Sequence, residues 1–212
     1  MSDTWSVPDV ELMCRVRDGR LAPNPHRWAP IRSRKLFGEN QCVVFSFPAA
    51  FSPTCSTAQL PEVERLHAEF LSAGCRAVFG VAVNDGFAMH AWGESLGIRR
   101  THLVPDGNGD FTRRMGMLVR RHALGFGWRS WRYAFVARNG RVAKMFVEPG
   151  LEDSPGRGVD PYGVTQPSRS SGGSKKTPVR KELASANGPL PQPVSAAPCG
   201  RQPAFCGSCS FS

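Results

Sequence analysis

Val43-Val44-Phe45-Ser46-Phe47-Pro48-Ala49-Ala50-Phe51-Ser52-Pro53-Thr54-Cys55 is the stretch on which the fold turns. Its first five residues form a short apolar run bounded by turn formers, which reads as a buried strand. Pro48 ends that strand, because proline cannot continue a central ladder. Ser52 can cap the helix that follows, and Pro53 then takes its first position, where a missing N–H costs nothing. Cys55 falls in the first turn, among unpaired amides at the positive end of the helix dipole, where an anion is stabilised. A cysteine so placed has a lowered pKa and reacts as a thiolate. On these residues alone the commoner reading is still a packed core cysteine, with Ser52 a plain cap and Pro48 a plain strand terminator.

Working outward, Leu60, Val63, Leu66, Phe70 and Leu71 share one helical face, Pro61 should kink the helix, and Gly74 should end it. Ala77–Val83 is the next strand. Asn84 or Asp85 then caps a helix carrying Phe87, Trp92 and Leu96. Thr101–Val104 is a short strand, the cluster at residues 105–109 a turn, and Phe111–Met115 a short helix. Tyr133–Ala137 and Val142–Val147 flank Asn139-Gly140, a strong hairpin signal. Strand, helix, strand, helix and a closing hairpin predict an α/β protein. Its central mixed sheet has helices on both faces and an antiparallel edge, and a thioredoxin-like fold is the simplest such arrangement.

Composition narrows the class. The chain has 212 residues, 41% of them hydrophobic and 21% charged, enough for one domain with a real core plus an extension. No apolar run is long enough to span a membrane. The N-terminus has no basic stretch followed by an apolar block, which speaks against a secretory signal. The expectation is a soluble cytoplasmic protein. The formal net charge is +10, but the arginines fall as pairs such as Arg99-Arg100, Arg113-Arg114 and Arg120-Arg121. This reads as a solvated basic surface rather than a nucleic-acid or membrane site. The seven cysteines are odd in number and irregularly spaced, unlike a secreted disulfide framework. The five histidines show no ligand spacing, so no metal and no cofactor are expected.

Hydrophobic patterning fades near Ser154, and the rest of the chain is rich in Pro, Ser and Gly. Residues 1–163 are therefore expected to form the domain. Residues 164–212 should form a disordered tail that buries too little apolar surface to offset its ordering entropy.

P-x-x-x-[TS]-x-x-C is the peroxiredoxin active-site motif, and residues 47–56, FPAAFSPTCS, contain it. The likeness continues through VNDGFAMHAWG, VPDGNGDFTRRMGMLV, LGFGWRSWRYAFV and NGRVAKMFVEPG. Over residues 7–163 the chain resembles the type-five (redoxin) subfamily, including the bacterial forms fused to glutaredoxin. The resemblance implies a thioredoxin-like fold, reduction of hydrogen peroxide and alkyl hydroperoxides, and a homodimer packed near the active site. It makes Cys55 the peroxidatic cysteine and Arg132 the active-site arginine, with Arg129 the nearest rival. Pro48 would shield the sulfur. Ser52, where most relatives have Thr, would supply a hydroxyl to the peroxide, and Thr54 joins the substrate pocket. A guanidinium beside the sulfur would lower its pKa and hydrogen-bond the peroxide, holding it in line and stabilising charge on the leaving oxygen.

The resulting sulfenic acid must meet a thiol. Cys75 does not match a resolving cysteine of the subfamily, and Ser154 lies near where some relatives carry one. A single-cysteine cycle recycled by glutathione or a glutaredoxin follows, with thioredoxin as second choice. Cys206 and Cys209, in a CxxC close to the chain end, are minor candidates for a resolving thiol. The alternative reading is a peroxide sensor that uses Cys55 oxidation as its signal.

Overall fold

A computed structural model describes residues 5–21, 23, 25–151, 160–167 and 179. Its centre is a five-stranded mixed sheet in the order β5-β4-β3-β8-β9. The strands are β3 Gln41–Phe47, β4 Ala77–Ala82, β5 His102–Pro105, β8 Tyr133–Arg138 and β9 Arg141–Val147. β3 is buried along its whole length, as its continuous apolar run predicts. It pairs in parallel with β4 and antiparallel with β8.

The alternation of side chains along β3 divides the core in two. Val43, Phe45 and Phe47 point to one face, packing with α2 Leu60–Arg65, α3 His67–Ser72 and α4 Gly86–Ser95. Cys42 and Val44 point to the other. That face is covered by α1 Ser33–Phe37, α5 Asp110–Arg114, a hairpin of β1 Glu11–Arg17 with β2 His26–Arg32, and a ribbon of β6 Leu118–Arg120 with β7 Trp128–Ser130. The thioredoxin-like α/β fold with helices on both faces is what the order of elements predicts. Neither the β1–β2 hairpin nor the β6–β7 ribbon is anticipated by the sequence reading.

Local chemistry explains the joins. Asn139 and Gly140 both take positive φ, 50° and 74°, as a two-residue hairpin turn requires. Gly74, at φ 89°, ends α3, with Cys75 N–H reaching back to the Phe70 carbonyl. Pro61 has no N–H to offer. The chain meets this with a π-helical turn over Cys55–Gln59, in which Leu60 N–H bonds the Cys55 carbonyl. A second irregularity at Leu66 separates α2 from α3.

Two expected core residues are in fact exposed. Leu71 is 42% exposed because the break at Leu66 turns the later face of the helix outward. Phe87 is 58% exposed and packs edge-on against Trp28 of the β1–β2 hairpin, with ring centroids 5.1 Å apart.

No helix among the described residues is long and apolar enough to cross a membrane. Most of the stretch expected as a tail from residue 164 lies outside the described residues. Within it, Val164 packs on the core, Thr165 is buried, and Val179 belongs to the cluster between the sheet and α2–α4.

Glu64 pins the end of α2 to the loop before β5. Its carboxylate accepts the N–H groups of Arg99, Arg100 and Thr101 at 2.9–3.0 Å and the Thr101 hydroxyl at 2.7 Å. Burial by itself pushes this carboxyl up, but the donors outweigh it and hold Glu64 below the ordinary glutamate value. Its contribution to stability is therefore complete above the unfolded value near pH ~4.3 and disappears as pH falls through the lower folded value. Denaturant midpoints of wild type and Glu64→Gln should differ most at neutral pH and converge in strong acid. A gap that persists in acid contradicts this. On the other face, Phe37 meets Phe79, Phe111 and Phe135. Phe37→Ala should cost about 3–5 kcal/mol in urea unfolding.

Candidate active site

Antiparallel pairing of β3 with β8 sets Phe45 opposite Ala134. Arg132, two residues before Ala134, therefore lies beside the C-terminal end of β3, where the chain turns toward Cys55. The structure joins two residues 77 apart in sequence: Arg132 Nη1 donates to Cys55 Sγ at 3.5 Å. Both are buried, Cys55 at 0% and Arg132 at 1% exposure.

The loop between β3 and the helix is tightly held. Ala50 N–H donates to Asn84 Oδ1 at 3.0 Å. The sequence leaves Asn84 and Asp85 as alternative caps, and the structure divides the work. Asp85 caps α4, accepting from Phe87 and Ala88 N–H, while Asn84 braces the loop. Phe51 takes a φ of 62°, unusual for a bulky residue, and its ring is 57% exposed. Pro53 is the first helical residue. Ser52 precedes it as expected, and its carbonyl accepts from Ser56 N–H at 2.9 Å. The Ser52 hydroxyl does not act as the expected side-chain cap; it donates to the Ala49 carbonyl at 2.9 Å. A hydroxyl committed as donor keeps its lone pairs for a proton donor such as a peroxide. Pro48 and Thr54 are half-buried on either side of this turn. From α4, Trp92 Nε1–H donates to Ser56 Oγ at 3.0 Å, fixing the turn that carries Cys55.

Burying a guanidinium is costly unless its charge and donors are met. Gln59 Oε1 and Asp160 Oδ1 accept from Arg132, and the Tyr162 ring lies beneath the guanidinium at 5.3 Å. Gln59 is oriented by its own bond to the Ser46 carbonyl at 3.2 Å. Tyr162 donates to Glu62 at 2.8 Å. The segment bearing Asp160 and Tyr162 is anchored by buried Glu148. Glu148 Oε1 accepts from Gly163 N–H, Thr165 N–H and the Thr165 hydroxyl at 2.7–2.8 Å. Gln59, Glu148, Asp160 and Tyr162 are absent from the sequence reading. For Asp160 and Tyr162 the signal was the run Asp160-Pro161-Tyr162, an acid and an aromatic just past the patterned region; Gln59 and Glu148 carried none.

The rival Arg129 lies on β7 and donates to the Trp128 carbonyl at 2.7 Å, with its pKa lowered by burial. The other described cysteines sit elsewhere. Cys14 is on β1, and Cys42 and Cys75 lie at the end of β3 opposite to the active-site turn. Burial pushes Cys14 and Cys75 up to about 11 and Cys42 up to about 12, so all three stay protonated at neutral pH. Cys206 and Cys209 lie outside the described residues.

A family profile described as Redoxin matches residues 24–158. The chain is 48% identical over 162 residues to peroxiredoxin y4vD of Sinorhizobium fredii, covering 76% of this chain and 85% of that protein. This chain belongs to the peroxiredoxin family. It is 44% identical over 159 residues to the hybrid peroxiredoxin hyPrx5 of Haemophilus influenzae, covering 75% of this chain and 60% of that one. Among solved structures, the Plasmodium falciparum antioxidant protein, a 1-Cys peroxiredoxin, superposes with a TM-score of 0.69 at 29% identity, covering 76% of this chain and 92% of that one. As a peroxiredoxin the protein is a thiol peroxidase, an oxidoreductase.

Asp160→Asn removes the only ion pair that Arg132 makes among the described residues and should let the guanidinium drift from the sulfur. A hydrogen bond to a charged group contributes about 1.5 kcal/mol or more, so the second-order reaction with peroxide should slow about tenfold. Stopped-flow rates of the reduced protein test this, with Asp160→Glu expected to recover part of the loss. An unchanged rate would show that Gln59 and Tyr162 suffice.

Proposed function

We propose that Cys55 is the peroxidatic thiolate of a single-cysteine peroxidase that reduces hydrogen peroxide and alkyl hydroperoxides, with Arg132 as its electrostatic partner. The observation that carries this reading is the 3.5 Å contact between Arg132 Nη1 and Cys55 Sγ in a site closed to bulk water. A guanidinium at that distance stabilises negative charge on sulfur and offers a donor to oxygen.

In the reaction the thiolate attacks one peroxide oxygen along the O–O axis. The S–O bond forms as the O–O bond breaks, and the leaving oxygen departs as hydroxide or alkoxide and takes a proton. In this reading Arg132 and the Cys55 N–H meet the charge on that oxygen, and the Ser52 oxygen accepts from the peroxide. Pro48 and Thr54 complete the pocket wall. Sulfur is oxidised to sulfenic acid and the peroxide is reduced to water or alcohol.

Recycling falls to an outside thiol. The buried, protonated state of Cys14, Cys42 and Cys75 supports this, as does the likeness to a protein described as a 1-Cys peroxiredoxin. Glutathione displaces water from the sulfenic acid to give a mixed disulfide. A second glutathione or a glutaredoxin thiol then releases Cys55, and thioredoxin is the second choice. The cytoplasmic thiol pool is the natural source. A homodimer packed beside the site goes with this reading, and it would cover the exposed Phe51. The complete burial of Cys55 also favours a second reading, a sensor whose sulfenic acid is slow to meet any thiol.

Steady-state peroxide consumption, with glutathione, glutaredoxin and thioredoxin compared side by side, separates the two. Turnover with glutathione plus glutaredoxin is expected. Oxidation that stops after one equivalent under every reductant would select the sensor. Cys55→Ser should abolish consumption, and Arg132→Met should slow the peroxide step about 10²–10³-fold, the usual loss for one oxyanion donor.

A further inference from the structure

We propose that the cleft between the β1–β2 hairpin and the edge strand β5 binds a single-chain amphiphile with an anionic head, such as a medium-chain or long-chain carboxylate. The cleft is about 940 Å³, at the upper end of the range of small-molecule sites. Its walls come from β1, β2, α1, α4 and β5. Neither Cys55 nor Arg132, which donates to its sulfur, lines it.

The lining is segregated by chemistry. The floor is apolar, with Ile31, Leu36, Met89, Ile98, Leu103 and Val104. Cys14, buried and held protonated at neutral pH, adds to the apolar wall rather than offering a nucleophile. The rim is basic, with Arg15, Arg17, Arg27, Arg32, Lys35 and Arg99, whereas Asp18 and Glu94 are the acids that line it. Part of this charge is met locally: Arg27 turns to Asp18, Arg32 to Asp9 and Arg99 to Glu94. For Arg15 and Lys35 the described residues show no carboxylate partner; Arg15 packs over the Phe87 ring instead. The positive field is felt inside the cleft. His90 on its wall and His26 beside it, with tilted rings 5.6 Å apart, are pushed toward the neutral form by burial and by Arg15.

An apolar trough under a cationic rim suits a ligand that is apolar along its length and negative at one end. A neutral apolar molecule would leave the rim unanswered, and a small anion would leave the floor unfilled. The chain's own C-terminal stretch is a poor fit, since residues 168–212 carry Arg169, Lys175, Lys176, Arg180, Lys181 and Arg201 against the single acid Glu182.

The test is calorimetric titration of the full chain with octanoate, decanoate and dodecanoate below their micellar concentrations. Affinity should rise about fourfold per added methylene, the increment for one buried CH2. Dodecanol and acetate should bind at least tenfold more weakly than dodecanoate. The surface double variant Arg15→Glu/Lys35→Glu should lose most dodecanoate affinity while keeping wild-type peroxidase activity. Cys55→Ser should bind like wild type. Non-saturable uptake, equal binding of dodecanol, an unaffected double variant, or loss of binding in Cys55→Ser would each overturn the proposal.

Discussion

The constraint around which this protein is arranged is a buried guanidinium. Arg132 has almost no contact with solvent, and an arginine cannot shed its charge to enter a core. The fold must therefore supply partners. It does so from three directions: Cys55 and Gln59 from the helical turn, Asp160 from the segment after β9, and the π face of Tyr162. The arrangement serves chemistry as well as burial. Of the groups around the guanidinium, Cys55 is the one with a nucleophilic sulfur, so in the proposed reaction the charge at the reacting atom would lie next to Arg132.

Strand register makes the meeting possible. A slip of one residue between β3 and β8 would move Arg132 to the opposite face of the sheet. The buried alternation on both strands fixes that register, with Val43, Phe45, Ala134 and Val136 in one cluster and Val44, Tyr133 and Phe135 in the other. The turn that presents Cys55 carries its own conformational cost, seen in the positive φ of Phe51. It is held in place by Asn84, by the Ser52 hydroxyl and by Trp92 through Ser56. The π-turn over Cys55–Gln59 belongs to the same economy. Pro61 removes one helical hydrogen bond, and the widened turn places Cys55 and Gln59 together on the side of Arg132.

The remaining described cysteines show how position decides reactivity in one chain. Cys14, Cys42 and Cys75 are buried too, but among the described residues no guanidinium is hydrogen-bonded to their sulfurs, and desolvation leaves them as protonated thiols. The second face of the protein has a separate character. There the β1–β2 hairpin stands against the edge of the sheet and leaves an apolar trough with a basic rim, lined by neither Cys55 nor Arg132.

Local signals carried much of this in the sequence. The apolar run of β3, the Asn139-Gly140 turn and the placement of Pro53 and Cys55 at a helix start are short-range features, and short-range sterics and hydrogen bonding decide them. The β1–β2 hairpin was harder to read because Pro30 and the arginines of β2 disguise an edge strand, although Leu12, Cys14 and Val16 alternate as a half-buried strand should. What only the tertiary structure decided is which polar groups meet. Arg132, Gln59, Asp160 and Glu148 look like ordinary surface residues in one dimension. They become a connected network because pairing of distant strands buries Arg132, Gln59 and Glu148, and the buried guanidinium finds its counter-charge in the more exposed Asp160.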